Sequence, residues 1–130
     1  MTLVDTSVWI AVFRKKEPLE LEHVVPLDEV VTCLPVVQEV LQGFRDEAAF
    51  RLARESMMAL PRVESPMGPD VFHEAASLYR TARRAGWTVR SSVDCLIAAC
   101  ALRNDLEVLH VDRDYDALAK VSQLRERRAG

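Results

Sequence analysis

Residues 91–115 read Ser91-Ser92-Val93-Asp94-Cys95-Leu96-Ile97-Ala98-Ala99-Cys100-Ala101-Leu102-Arg103-Asn104-Asp105-Leu106-Glu107-Val108-Leu109-His110-Val111-Asp112-Arg113-Asp114-Tyr115. The first half carries apolar side chains at almost every helical position, from Cys95 to Leu102. A helix that is apolar all round has no face for water and belongs inside a protein. Asn104 and Asp105 break the pattern, and Glu107 to Val111 then reads as a short apolar strand. Asp112 closes that strand, and a last short helix follows from Arg113. A buried helix feeding an apolar strand is the mark of a parallel sheet covered on both faces.

The rest of the chain repeats this alternation. Leu3-Val4 forms a first strand ended by Asp5, and Asp5-Thr6-Ser7 offers cap side chains to a helix over Val8 to Phe13. Residues 14–28, with Pro18 and Pro26, read as a loop with a short helix. Glu29 to Leu34 is a second strand stopped by Pro35, a residue suited to a helix's first turn. Val36, Val37, Val40, Leu41 and Phe44 then share one helical face. A helix follows from Asp46 to Leu60, and Pro61 to Pro66 is expected to hold a short third strand. Gly68-Pro69-Asp70 opens a helix running to Arg84 and ended by Gly86. The expectation is one α/β domain over residues 1–130. It is a three-layer sandwich with a central parallel sheet of four to five strands flanked by helices.

Composition narrows the function. The 130 residues are 49% hydrophobic and carry a net charge of −3, so bulk positive charge cannot be what grips a nucleic acid. The longest run without a polar side chain, Cys95 to Leu102, falls far short of the ~20 residues a bilayer crossing needs. No secretory leader is visible, which points to the cytoplasm. Cys33, Cys95 and Cys100 have apolar neighbours and no ligand spacing, and read as small buried hydrophobes in a reducing compartment. His23, His73 and His110 are scattered, so neither a histidine metal site nor a Ser-His-Asp triad is expected.

Four acids stand out by position. Asp5 and Asp112 each close a strand, Asp94 lies in the first turn of the buried helix, and Glu39 lies on the polar edge of the helix after the second strand. Ligand sites of open parallel sheets lie beyond the carboxyl ends of the strands, so these acids can converge in one cleft. Converging carboxylates repel one another unless a hard cation joins them. Without His or Cys ligands, Mg²⁺ or Mn²⁺ is favoured over zinc. The chemistry suited to such a site is in-line displacement at phosphorus. Each acid alone also has a plainer reading. Asp5 and Asp112 can cap helices, Ser91-x-x-Asp94 fits a capping box, and Glu39 can be a solvated helix residue.

Taken in order, the motifs resemble the PIN-domain ribonucleases, and among them the VapC toxins of prokaryotic toxin–antitoxin pairs. The matching segments are Val4-Asp5-Thr6-Ser7, Glu39 with Gly43, Ser91-Ser92-Val93-Asp94-Cys95-Leu96-Ile97-Ala98, and Asp112-Arg113-Asp114-Tyr115. They span nearly the whole chain. Tyr115 departs from the family's phenylalanine and keeps its aromatic packing. The resemblance implies a metal-dependent endoribonuclease leaving 5′-phosphate and 3′-hydroxyl ends. It implies Asp5, Glu39, Asp94 and Asp112 as the catalytic acids, with Asp5, Asp94 and Asp112 as ligands for Mg²⁺, for which Mn²⁺ can substitute. It implies that Ser7 and Ser91 support the ligands from behind, and that Asp114 either does the same or adds a further ligand. It further implies a homodimer and a cognate VapB-type antitoxin that inserts a segment near the site.

Arg80, Arg83, Arg84 and Arg90 cluster ahead of Asp94, and Arg90 and Arg84 are the candidate RNA phosphate contacts. Arg125, Arg127 and Arg128 read as a disordered, solubilising end. A receiver-type domain is disfavoured because Asp5 has no acidic neighbour. A haloacid-dehalogenase-type phosphatase is disfavoured because Ser7 stands where a second Asp is required. The alternative from another class is a PIN-like module that binds RNA or a protein without turnover.

Overall fold

Leu3 and Val4 lie in β1 (Thr2–Val4), a strand buried along its whole length because it has a parallel neighbour on each side. The computed structural model describes all 130 residues. Its sheet has the order β2-β1-β3-β4, with β2 at Val30–Val31, β3 at Glu107–His110 and β4 at Glu126–Arg128. Every pairing is parallel: Leu3 lies opposite Val31 on one side and Val108 on the other, and Leu109 lies opposite Arg127. Six helices cover the sheet: α1 (Thr6–Phe13), α2 (Leu34–Gln42), α3 (Glu47–Met58), α4 (Pro69–Arg84), α5 (Ser92–Arg103) and α6 (Arg113–Lys120). Two single 3-10 turns, Leu21–His23 and Leu27–Glu29, interrupt the long loop after α1. This is the three-layer α/β sandwich expected from the alternation.

The helix that is apolar all round is buried as anticipated. Ile97, Ala98, Ala99, Cys100 and Ala101 of α5 have no exposed surface. Small side chains there let α5 lie close to α4 and the sheet. The three cysteines are buried in this core. The Cys33 thiol, hydrogen-bonded to the free thiol of Cys100 and shielded from water, ionises only far above the usual range, and burial pushes Cys95 up to about 11. They act as hydrophobes.

Three sequence expectations are corrected. The second strand ends early, because Leu34 already belongs to α2, where Pro35 occupies the first turn. Pro61–Pro66 forms no strand. A single parallel bridge joins Arg62 to Thr32; Pro61 lacks the donor that would extend it on one side, and Glu64, at φ 51°, turns the chain out of the strand on the other. The arginine-rich end is an ordered edge strand, not a disordered tail. Arg127 donates to Glu107 Oε1 at 3.0 Å and to the Val24 carbonyl at 3.1 Å. Arg128 donates to Asp116 at 2.7 Å, and the Ala129 amide donates to the His110 carbonyl at 2.9 Å. Ion pairs and backbone bonds hold β4, so it carries no apolar alternation to betray it, and its charges suit an edge.

Candidate active site

Asp5 follows β1 and caps α1, with its amide bonded to the Leu109 carbonyl at 2.9 Å. It is 2% exposed. Its Oδ2 accepts from the Ser7 amide at 3.0 Å and from the Ser7 hydroxyl at 2.6 Å. The same hydroxyl accepts the Val111 amide at 3.1 Å, so Ser7 ties the end of β1 to the loop beyond β3. The other oxygen of Asp5, Oδ1, accepts from the Tyr115 hydroxyl at 2.5 Å.

Asp94 sits in the first turn of α5 and is 5% exposed. Its Oδ1 lies 3.4 Å from the Tyr115 hydroxyl, and its Oδ2 is buried with no hydrogen-bond partner. An unpaired buried carboxylate oxygen is costly. The capping-box reading of this acid fails. The Ser91 side chain makes no cap bond, and the Ser91 amide is taken by Asp114 Oδ2 at 3.0 Å. Asp94 is therefore free of any local structural duty.

Asp112 caps α6 through its Oδ1, which accepts the Asp114 amide at 2.9 Å. Asp114 is 2% exposed and receives the amides of Arg90 and Ser91 at 3.0–3.2 Å. It thereby fastens the start of α5 to the start of α6. Carboxylate oxygens of Asp94, Asp112 and Asp114 all lie within 4.8 Å of one another. Asp5 lies outside that cluster and is linked to Asp94 by the Tyr115 hydroxyl, which both meet. Glu39, half-buried on α2, accepts the Thr6 hydroxyl at 2.8 Å, one residue from Asp5.

Arg90 is the one cation in contact with these acids, with Nε 3.8 Å from Asp114 and Nη2 4.0 Å from Asp112. Its side chain is 56% exposed. Arg90, Arg113 and Arg128 line an open polar groove of about 440 Å³ beside Asp112. Arg84 ends α4, exposed, with no bond to any acid of the pocket. Sequence reading missed Arg113 as a groove residue. It also missed Arg128, which only the pairing of β4 with β3 brings here, and the role of Thr6.

Burial and the surrounding Asp5, Asp114 and Asp112 push Asp94 up to about 9. Burial, with Asp5 and Asp94 beside it, also raises Tyr115 well above its usual value, so its hydroxyl keeps its proton and donates. The metal-free pocket thus stores a proton on Asp94 because it cannot hold all its negative charge. The donor set is all carboxylate oxygen and includes an orphaned oxygen, which fits a hard divalent cation. A second group, His110 with Asp116 and Glu126, also gathers possible ligands. There His110 Nδ1 accepts the Asp112 amide at 3.1 Å, which leaves Nε2 as the protonated nitrogen facing Glu126 at 3.1 Å. With its lone pair engaged and Arg128 already on Asp116, this group is a structural brace and not a metal site.

The PIN domain family matches residues 2–121. The chain is 36% identical over 130 residues to ribonuclease VapC11 of Mycobacterium tuberculosis, with 96% of each chain covered. It has the same identity and coverage with the VapC ribonuclease Mb1587 of Mycobacterium bovis. Among solved structures it is similar to VapBC-5 of Mycobacterium tuberculosis, a member of the VapBC family of toxin–antitoxin systems. That match has a TM-score of 0.73 and 26% identity, and covers 98% of this chain and 97% of that one.

Proposed function

We propose that this chain, which belongs to the PIN-domain family and to the VapC ribonucleases within it, is a divalent-metal-dependent endoribonuclease and the toxin of a type II toxin–antitoxin pair. The buried, unpartnered Oδ2 of Asp94 among further carboxylates carries the reading, since a cation is what completes it. Asp5, Asp94 and Asp112 are the assigned ligands for Mg²⁺, with Mn²⁺ able to substitute. Asp114 lies close enough to share the ion while bracing α5. A cation held there supplies water activation and neutralises charge developing at phosphorus.

The chain's own groups do the rest. Ser7 fixes the rotation of Asp5 with two bonds to one oxygen. Glu39 keeps one oxygen bonded to Thr6, and its carboxylate is the group assigned to accept a proton from the attacking water. Arg90, mostly exposed yet anchored by its backbone, offers its guanidinium to a backbone phosphate. Arg90→Ala is expected to raise KM for RNA roughly tenfold and lower the salt slope of binding by about one, with little change in kcat. An RNA-binding titration across salt concentrations checks this.

Two apolar surfaces support the partners. One lies between α4 and α5, about 460 Å³, and includes Phe72, Tyr79, Val93 and Leu96. The other lies between α1 and α2 and includes Ile10, Phe13 and Phe44. We assign them to a second copy of the chain and to a VapB-type antitoxin. No helix is long and apolar enough to cross a membrane, and the proposed substrate places the action in the cytoplasm.

The direct test uses toxin released from its antitoxin and incubated with total RNA. Cleavage is expected with Mg²⁺ or Mn²⁺ and none in excess EDTA. Undiminished cleavage in EDTA defeats the metal assignment. RNA binding without cleavage in either metal points to the non-catalytic module.

A further inference from the structure

We propose that the Tyr115 hydroxyl is a positioning group of the pocket, holding Asp5 and Asp94 in register so that a divalent cation meets them already placed. The inference rests on the metal-dependent reading above and adds to it a residue whose side chain is not a ligand. Tyr115 is fully buried, and its hydroxyl is the only hydrogen-bonding neighbour that Asp94 Oδ1 has. It is also the only side chain bonded to Asp5 Oδ1, at 2.5 Å. With Ser7 on Oδ2, both oxygens of Asp5 are pinned, and the carboxylate cannot rotate without breaking a buried bond.

The ring that carries this hydroxyl is itself held. It packs against His110 with centroids 5.0 Å apart, and His110 is fixed by the Asp112 amide and Glu126. The tyrosine follows Asp114 directly, so the turn of α6 that delivers one carboxylate also delivers the strut for two others. A phenylalanine would fill the same space and pack on His110 in the same way. It would take away the hydroxyl that Asp5 Oδ1 and Asp94 Oδ1 both meet. The hydroxyl is thus separable from the packing, and a single atom tests it.

In Tyr115→Phe the ring remains, so the melting temperature in EDTA should stay within a few degrees of the parent and the circular dichroism should be unchanged. Mn²⁺ binding, followed by calorimetry at fixed pH, should weaken by about 10- to 100-fold, the range seen when a group that orients a ligand is lost. The Mn²⁺ concentration for half-maximal RNA cleavage should rise by the same factor, while KM for RNA at saturating Mn²⁺ holds. A merely structural role would lower the melting temperature and leave metal affinity alone. Parent and variant binding Mn²⁺ within twofold of each other would overturn the positioning role and leave the metal reading standing. A parent that binds no Mn²⁺ would overturn both.

Discussion

Asp94→Asn is expected to lower metal-dependent RNA cleavage by on the order of a thousandfold while leaving the metal-free protein at least as stable as the parent. The two halves of this result have one cause. Asp94 is buried beside three other acids, and one of its oxygens has no partner. Without metal it exists as the neutral acid near pH 7, and an amide of the same shape replaces it at little cost. With metal it must carry a charge, and the amide cannot. Had Asp94 been a cap, its replacement would cost about 0.5–2 kcal/mol, but the amide it would have served is held by Asp114. Thermal melts in EDTA and cleavage assays in Mn²⁺ are the two measurements. Retained cleavage, or a melting temperature several degrees lower, would contradict the assignment.

Metal uptake near pH 7 is expected to expel close to one proton per protein, and apparent affinity should fall about tenfold for each pH unit lowered below 9. The proton comes from Asp94, whose folded-state value of about 9 stands far above its ordinary 3.8. The direction for stability follows from the same shift. The folded, metal-free protein holds this proton more tightly than the unfolded chain does. That contribution is therefore complete below about 3.8 and is lost as pH rises through 9. Melting temperature in EDTA should drift down between pH 6 and 9.5, and Asp94→Asn should flatten this part of the drift. Calorimetry in two buffers of different ionisation enthalpy counts the proton. No proton release at pH 7 would mean that the carboxyl is already ionised and the pocket far wetter than its burial indicates.

How much could be read from the residues alone depends on where each feature's energy comes from. The buried helix α5 and strand β1 are set by apolar burial, which writes itself into local pattern, and both are where the sequence puts them. Strand β4 is set by Arg127 and Arg128 reaching partners far along the chain, and local pattern holds no trace of that. The Ser91–Asp94 spacing imitates a capping box, yet the bond goes to Asp114, 23 residues away. Asp5 and Asp112 stand out at strand ends and Asp94 and Glu39 by their places on helices, while the roles of all four come from resemblance to a family. The Tyr115 hydroxyl escapes a local reading because a tyrosine in phenylalanine's place is judged by its packing. Its partner is Asp5, 110 positions earlier.

That span has a biological corollary. Tyr115 grips Asp5, and the Val111 amide grips Ser7, so the first and last thirds of the chain must be joined before Asp5 meets the other acids. A protease that nicks an exposed loop between them and lets the pieces drift apart disarms the molecule at once. No piece then holds Asp5 together with Asp94 and Asp112, and metal-dependent cleavage should be lost with the separation.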